Sequence, residues 1–302
     1  MKSFLLSIAL VNSLFSFDYK LQPKEVSEDI HCFFGAAEVM NKHNNGNMSN
    51  SCFITIGESY LVIDSGPTYQ YAQQAYRAMK NVKDLPISYV LNTHIHDDHW
   101  LGNSYYKQEG ISIVGSDAFE TLPKEQMTRM QKRISQEAFR GTTQQYPDLF
   151  VHGKKVLEVD GQKILLYSVN AKAHTKDDLY VYIPSKSALF AGDLVFNGRL
   201  PSLRDGNIHG WIAALQRIKL MPNLRYIIGG HGEIITPKAV DFTYNYLKTL
   251  EQEVQKALDN DLDIDDAVNT VVMPAYKSWP FYDSIHRQNV EQVYRTLEWE
   301  SE

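Results

Sequence analysis

The sequence has few cysteines, no excess of basic charge and few long apolar runs. Each of these shortages excludes a kind of site or partner. Cys32 and Cys52 are the only cysteines among the 302 residues, so no close pair exists to form a zinc ribbon or a redox motif. Lys and Arg number 30 against 36 Asp and Glu, and they are scattered along a chain of formal net charge −6. We therefore expect no nucleic-acid partner.

The N-terminal apolar run resembles a secretory signal peptide. "MKSFLLSIALVNSLFSFDYK" has a basic start, an apolar stretch from Phe4 to Phe15 and then the small Ser16. The stretch is too short to span a bilayer, and no other segment is long and apolar enough to do so. We expect residues 1–16 to be removed on export, which makes the mature protein periplasmic with no membrane partner. The alternative is an apolar helix packed on the domain, and the cleavage position stays open.

Export bears on the state of Cys32 and Cys52. An oxidising compartment would allow them to form a disulfide that closes a loop of about twenty residues. Such a bond stabilises a fold by roughly 3 kcal/mol in the chain-entropy model. Two buried thiols in neighbouring strands are the alternative, and the spacing does not decide between them.

Apolar and β-branched runs predict strands first and helices after in each half of the chain. In the first half, strands are predicted in "DIHCFFGA", "SCFITIGESYLVIDSGP", "ISYVLNTH" and "ISIVGS", and helices over 69–82 and 117–140. In the second half, strands are predicted in "KVLEVDGQKILLYSVN", "DLYVYIPSKSALFAGDLVF" and "RYIIGGHG", and helices over 209–220, 236–260 and twice within 263–302.

This order predicts an α/β fold, because each half can supply one sheet with its helices outside. The expected architecture is an αββα sandwich of two mixed β-sheets flanked by helices. The expected organisation is a signal peptide at 1–16, one domain at 17–262 and a C-terminal helical extension at 263–302 packed on that domain.

The most informative segment is "NTHIHDDHWLGN", where His94, His96, Asp98 and His99 directly follow a predicted strand. A strand end that turns into a loop can aim several side chains at one point. Neutral imidazole and carboxylate are good ligands for zinc and related cations. The segment therefore predicts part of a metal site.

Three further candidate ligands end apolar strands: His174, Asp193 and His231. The other histidines lack this setting and are expected to be surface or packing residues; they are His31, His43, His152, His209 and His286.

The motifs "THIHDDH", "AHT", "AGD" and "GGHG", in this order over about residues 28–235, resemble the metallo-β-lactamase superfamily and the seven-ligand site of glyoxalase II. Several separated motifs in order are more specific than any one of them. The segments "HDDHWLGN", "AGDLVFNGRLP" and "GWIAALQRI" are most similar to quinoprotein relay system zinc metallohydrolases.

The resemblance implies a ligand set and a reaction. His94, His96 and His174 would hold one metal, Asp98, His99 and His231 the other, and Asp193 would bridge them. Two zinc ions per chain are expected, with iron or manganese as alternatives. A bridging hydroxide oriented by Asp98 would cleave an ester, thioester, lactone or amide bond. The charge left on such a centre favours a small anionic substrate.

Trp100, Lys176 and Arg199 are candidate substrate-binding residues, since each follows a ligand closely. Core packing of the Trp and solvation of the two cations are the alternatives. The segment 40–51 is a candidate flap over the substrate or, equally, a solvated hairpin loop.

Other functions stay open. One is a true metallo-β-lactamase, although subgroups with a zinc-bound cysteine carry it where this chain has Asp193. Another is a sulfur-oxidising enzyme with a single iron, and a third is a non-catalytic metal-binding protein. His96 stands where diiron flavoprotein relatives have Glu, which argues against an oxygen-reducing site.

Overall fold

A computed structural model describes residues 17–123 and 127–301 and contains two β-sheets packed face to face between helices. The strands are β1 Lys24–Ser27, β2 Ile30–Phe33, β3 Ser51–Ile56, β4 Ser59–Ile63, β5 Ile87–Leu91, β6 Ile113–Ser116, β7 Leu149–Val151, β8 Lys154–Val159, β9 Gln162–Ser168, β10 Leu179–Ile183, β11 Ala188–Phe196 and β12 Tyr226–His231. The predicted signal peptide at 1–16 lies outside the described residues.

The α-helices account for most of the predicted helical segments. They are α1 Tyr69–Val82, α2 Asp97–Trp100, α3 Asn103–Gln108, α4 Arg129–Arg133, α5 Gln136–Phe139, α6 Ile208–Lys219, α7 Ala239–Asp259, α8 Ile264–Thr270 and α9 Tyr282–Ser301. None of them, within the part of the chain that the structure describes, has the length and apolar character needed to cross a bilayer.

Both sheets are mixed, which confirms the predicted αββα sandwich. The first has the order β1-β2-β3-β4-β5-β6-β7, antiparallel from β1 to β4 and parallel from β4 to β7. The second has the order β12-β11-β10-β9-β8, in which only the β11–β12 pair is parallel. Strands β1 and β7 were not predicted from the sequence, because each is too short to show a clear apolar pattern.

Three apolar layers hold the sandwich together. In the first sheet, Phe53 and Val62 pack outward against α1, whereas Ile54 and Leu61 pack inward against the second sheet. This alternation follows from the two-residue period of a strand. The third layer lies outside the second sheet, where Trp211 of α6 is one of the largest fully buried side chains.

The helix predicted over 117–140 is wrong. The described part of this stretch has a 3₁₀ turn at Asp117–Thr121 and then the short helices α4 and α5. Pro123 forces Leu122 into an extended conformation, which stops the first turn. Thr128 and Ser135 each cap a new helix by accepting a hydrogen bond from a backbone N–H three residues on.

Cys32 and Cys52 form a disulfide, which decides the question that the sequence left open. The two residues lie opposite each other in β2 and β3. Both are buried between the sheets.

The C-terminal helices pack on α7 and share its apolar core. Val290 and Val293 of α9 are fully buried there with Leu250 of α7. Tyr246 of α7 and His286 of α9 are hydrogen-bonded at 3.0 Å between the Tyr hydroxyl and the ring Nδ1. These contacts attach the C-terminal helical region to the second sheet.

Candidate metal centre

The strand topology brings the predicted ligands to one edge of the sandwich. His94 and His96 follow β5, and Asp98 and His99 lie in α2. His174 lies between the antiparallel strands β9 and β10, while Asp193 and His231 lie near the carboxyl ends of the parallel strands β11 and β12. The backbone N–H of Leu179 donates to the carbonyl of Thr93 at 2.7 Å, so the two sheets are joined directly beside the site.

Two glycines let Asp193 reach the middle of this edge. Gly192 has a φ of +51° at an irregularity of β11, and a Cβ there would lie 2.5 Å from the Cβ of Thr93. A Cβ on Gly230 would lie 2.0 Å from Oδ1 of Asp193. Gly192 therefore allows the close approach of Thr93 to β11, and Gly230 leaves room for the carboxylate of Asp193.

The first group of candidate ligands comprises His94, His96, His174 and Asp193. Nδ1 of His96 lies 3.2 Å from Nε2 of His94 and 3.0 Å from Nε2 of His174. Zinc bound tetrahedrally at 2.0–2.1 Å would place its nitrogen ligands roughly 3.3 Å apart. These two spacings are compatible with tetrahedral binding of one cation by the three imidazoles.

The second group comprises Asp98, His99 and His231, which lie beside the first. Nε2 of His99 lies 3.5 Å from Oδ2 of Asp98, and Nε2 of His231 lies 3.7 Å from the same oxygen. Asp193 faces both groups, with Oδ1 at 3.2 Å from Nε2 of His99 and Oδ2 at 3.2 Å from Nε2 of His174. The carboxylate of Asp193 thus lies between the two groups.

The hydrogen bonding of these atoms fits bound cations. Oδ2 of Asp98, Nε2 of His99 and Oδ1 of Asp193 are buried atoms that have no hydrogen-bond partner among the described residues. Leaving buried polar atoms unpaired is costly, and native proteins rarely do so without a ligand or ion. These atoms face one another, so a cation among them would satisfy all three.

In most of these imidazoles, the ring nitrogen that is not a candidate ligand atom lies close to a polar group of another residue. Nδ1 of His99 lies 2.8 Å from Oδ2 of Asp64, and Nδ1 of His94 lies 3.0 Å from Oγ1 of Thr93. Nδ1 of His231 lies 2.6 Å from the carbonyl oxygen of Met48. Nε2 of His96 lies 3.0 Å from Oδ2 of Asp205. Such contacts orient metal-binding histidines and fix which nitrogen is free for a cation.

The electrostatics of the edge favour neutral His94 and His231 but a protonated His99, which lies among buried carboxylates. Burial lowers the pKa of His94 well below its usual value, and burial together with nearby Arg199 lowers the pKa of His231. Burial opposes ionisation of Asp193, but the histidines around it outweigh burial and hold its pKa well below the usual range. Burial also disfavours a charged His99, yet the carboxylates led by Asp193 raise its pKa well above normal. The site therefore attracts positive charge.

A cavity of about 510 Å³, counted with the solvent at its mouth, opens over the candidate ligands. Arg199, Arg129 and Arg204 line it together with Met40 and Met48. Arg199 is 8% exposed, and its Nε has no hydrogen-bond partner within residues 17–123 and 127–301. Three cationic side chains therefore face the space in which a substrate would lie.

Of the three candidate substrate-binding residues, the structure brings only Arg199 to this cavity. Trp100 is 2% exposed, donates its indole N–H to the carbonyl of Ile95 and packs edge-on against Phe119. Lys176 lines a different cavity beside Asp117. Trp100 and Lys176 each follow a candidate ligand in sequence, but their side chains lie away from the metal centre.

The segment 40–51 is not a simple solvated loop. Asn45 and Ser49 are buried, and the hydroxyl of Ser49 donates to the carbonyl of Asp98 at 2.7 Å. Met40 and Met48 reach the cavity. The segment therefore forms one wall of the site.

The five histidines set aside in the sequence are absent from both ligand groups. His209, for example, pairs with Glu251 and Glu300 at 3.0 and 2.8 Å.

Four residues at the site were not predicted from the sequence: Asp64, Asp178, Asp205 and Arg129. Oδ2 of Asp178 accepts hydrogen bonds from the backbone N–H groups of His174 and Thr175, at 2.8 and 2.9 Å. Asp64 and Asp178 each lie next to the end or start of a predicted strand, and this position is a signal that could have identified them.

Comparisons with known proteins agree with this geometry. Residues 44–231 match the family model of the metallo-beta-lactamase superfamily. The chain belongs to this superfamily, and it is a metal-dependent hydrolase. The expected family and enzyme class are thereby confirmed.

Individual relatives are distant. The chain is 25% identical over 217 residues to a metallo-beta-lactamase type 2 of Elizabethkingia meningoseptica, a match that covers 69% of this chain and 78% of the relative. It is 22% identical over 181 residues to a hydroxyacylglutathione hydrolase of Pelagibacter ubique, which covers 57% of this chain and 65% of that protein.

Solved structures share the fold. A metallo-beta-lactamase from Pontibacter korlensis aligns with 76% of this chain and 99% of its own, at a TM-score of 0.59 and 21% identity. The metallo-beta-lactamase FIM-1 from Pseudomonas aeruginosa, solved in its mono-zinc form, aligns with 76% of this chain and 95% of its own, at a TM-score of 0.57 and 18% identity.

Proposed function

We propose that the protein is a dinuclear zinc hydrolase that cleaves an ester, thioester, lactone or amide bond of a small anionic substrate. The observation that carries this proposal is the position of Asp193, whose two carboxylate oxygens face two adjoining groups of candidate ligands. A single closed structural site would not need a shared carboxylate.

The proposed ligand set follows from the two groups. His94, His96 and His174 would hold one zinc ion, Asp98, His99 and His231 the second, and Asp193 both. Divalent cations in these sites supply Lewis acids that acidify a water molecule and polarise a carbonyl group. The mono-zinc form of the FIM-1 relative supports zinc as the metal.

The protein's own side chains would position the reactants. Asp98 is 6% exposed and lines the cavity, where it can accept a hydrogen bond from the attacking water and direct it towards the substrate carbonyl. Arg199 lies at the cavity wall with an Nε that no described residue pairs, and it would bind an anionic group of the substrate. Met40, Met48 and Phe196 line the same cavity and would limit the access of bulk water.

A β-lactam substrate is the second candidate, because the Elizabethkingia meningoseptica relative, at 25% identity, is a metallo-beta-lactamase type 2. The ring amide of a β-lactam belongs to the bond types proposed above.

We also propose that the protein acts outside the cytoplasm, after removal of residues 1–16. The buried disulfide Cys32–Cys52 supports this location, because such bonds persist in oxidising compartments. In the mature chain, residues 17–262 would form the hydrolase domain and 263–302 a helical extension packed on it.

The test is a hydrolysis screen of the zinc-loaded protein over thioesters, esters, lactones and β-lactams, followed by the Asp98→Asn variant. With an active substrate, this variant should lose turnover by about 10²-fold or more, the scale expected for losing an acid–base or positioning group. Its Michaelis constant should change less. Unchanged turnover at full metal loading would show that another residue orients the water, and an inactive wild type across the screen would contradict the proposed function.

A further inference from the structure

A second, mainly apolar space adjoins the cavity over the metal centre. Its volume is about 1120 Å³ with its open mouth included, against about 510 Å³ for the cavity itself. We call it the side groove, and its characteristic lining residues are Phe34, Ala36, Gly198, Ile234 and Trp279.

The side groove and the cavity are continuous. Met48, Arg199 and His231 line both spaces. His231 is itself a candidate ligand, so the side groove begins beside the metal centre. A substrate whose reacting bond lies at the centre can therefore extend into the side groove.

The wall formed by Trp279 belongs to the C-terminal helical region and is firmly attached. The ring of Trp279 packs against Phe242 of α7, with centroids 4.2 Å apart. The carbonyl of Pro280 accepts a hydrogen bond from the backbone N–H of Leu200 at 3.1 Å. The guanidinium of Arg199 lies 5.2 Å from the ring centroid of Phe281.

Helix α9 also holds the loop between β11 and α6. Asn289 accepts a hydrogen bond from the N–H of Leu203 at 2.9 Å and donates to the carbonyl of Pro201 at 2.8 Å. The loop between β11 and α6, which carries Arg199, is thus fixed to the same region as Trp279.

Apolar side chains of the side groove remain accessible to water. Ile234 is 47% exposed, and Trp279 is only partly buried against the neighbouring core. Covering such surface with an apolar group is favourable, roughly in proportion to the area removed from water. The side groove is therefore suited to an apolar ligand, in contrast to the arginine-lined cavity beside it.

We infer that the side groove binds an apolar acyl chain of the substrate, and that Trp279 is a specificity-determining residue for that chain. The inference deepens the proposed hydrolase function and rests on it. The acyl carbonyl would lie at the metal centre. Hydrolysis would add water across the bond, leaving a carboxylate near Arg199, the chain in the side groove, and a free alcohol, thiol or amine.

Octanoate is a suitable probe because it resembles such a product, whereas acetate lacks the chain. Calorimetric titration of the zinc-loaded protein should show octanoate binding at least about tenfold more tightly than acetate, a modest selectivity for several methylene groups in an apolar site. Trp279→Ala should remove this preference, and Trp279→Phe should retain most of it. Trp299→Ala is a matched control, since Trp299 is 79% exposed elsewhere in the C-terminal region.

A second variant keeps the test valid if Trp279→Ala does not fold. Ile234→Asp places a carboxylate at an exposed position of the side groove and should weaken octanoate binding without changing acetate binding or the thermal melting temperature. Equal affinity of wild type and both side-groove variants for octanoate would overturn the inference. A change in sedimenting mass on Trp279→Ala would also overturn it, by showing that the side groove is a surface between copies of the chain.

Ester hydrolysis is an independent test of the side groove. With p-nitrophenyl octanoate and p-nitrophenyl acetate, Trp279→Ala should raise the Michaelis constant for the octanoyl ester much more than that for the acetyl ester, whereas Trp299→Ala should change neither. Hydrolysis of both esters with no effect of Trp279 would reject the side groove and keep the hydrolase. Octanoate binding that depends on Trp279, in a protein that hydrolyses neither these esters nor any substrate of the wider screen, would support the side groove and count against the proposed function.

Discussion

At the candidate metal centre, a ligand side chain can bind a cation only if a neighbouring group holds it in the right orientation. Asp64 illustrates this, because its Oδ2 lies 2.8 Å from both Nδ1 of His99 and Oγ1 of Thr93, while its Oδ1 accepts the backbone N–H of Thr93 at 2.7 Å. One buried carboxylate therefore orients a candidate ligand from α2 and the turn after β5.

Replacing Asp64 should weaken metal binding although the residue is not itself a candidate ligand. In Asp64→Asn, the amide nitrogen can face Nδ1 of His99, so the imidazole is no longer held in one orientation. We expect zinc affinity to fall by about 10–100-fold, as measured by competition with a chromogenic chelator. Asp84→Asn is a control, since the Asp84 side chain is 77% exposed and forms a surface pair with Lys80. Equal affinity for wild type and Asp64→Asn would contradict the assigned role.

The sequence predicted the candidate ligands better than their supporting residues for a physical reason. His94, His96 and His99 crowd into one short segment, and that pattern has few explanations other than a cation. Asp64 and Asp205 are isolated carboxylates in sequence, and only the fold brings them to the imidazoles. Trp100 shows the converse, since nearness to a ligand in sequence did not bring its side chain to the cavity.

Among the elements, strands with strong apolar patterns and tight turns were predicted well. The turns at Gly57 and at Asp160-Gly161 have positive φ values, as expected for short connections between antiparallel strands. Between 117 and 140, local capping and Pro123 broke up a predicted helix whose composition alone favoured helix. Composition does not reveal such interruptions unless each capping residue is weighed against the helix.

The disulfide between β2 and β3 should stabilise the first sheet. The double variant Cys32→Ala/Cys52→Ala should lower the free energy of unfolding by about 3 kcal/mol, because the unfolded chain regains the entropy of a loop of about twenty residues. Urea denaturation of the metal-free protein would measure the difference. Under reducing conditions the wild type should lose the same stability and approach the variant. Equal stability of the two proteins under oxidising conditions would refute this contribution.

At the scale of the whole molecule, two sheets and their helices meet so that the candidate ligands of both halves share one edge. Neither half of the chain supplies all the candidate ligands, because His94 and His99 come from the first half. His174, Asp193 and His231 come from the second. The sequence predicted this architecture because strands precede helices in both halves. It did not reveal that the link between α8 and α9 lines the side groove, since Trp279 lies 48 residues beyond His231 and carries no local signal.

The proposed export is tested on the chain with residues 1–16 included. Expressed in a bacterium, the full-length protein should accumulate in the periplasmic fraction with its N-terminus shortened by about sixteen residues. Mass spectrometry of the purified protein would locate the cleavage. A variant with Leu5 and Leu6 both changed to Arg should remain uncleaved, because the apolar stretch is interrupted. Intact wild-type chain confined to the cytoplasm would contradict the proposed location.

We propose that Asp193 joins two metal sites, and the metal content of the protein and of an Asp193 variant decides whether it does. Inductively coupled plasma mass spectrometry of the purified protein, dialysed after zinc loading, should give two zinc ions per chain for the wild type, one for each ligand group. Asp193→Ala should bring this ratio to one or below, with most turnover lost. A wild type that retains a single metal ion, or an Asp193→Ala variant that retains two with its activity intact, would contradict the account.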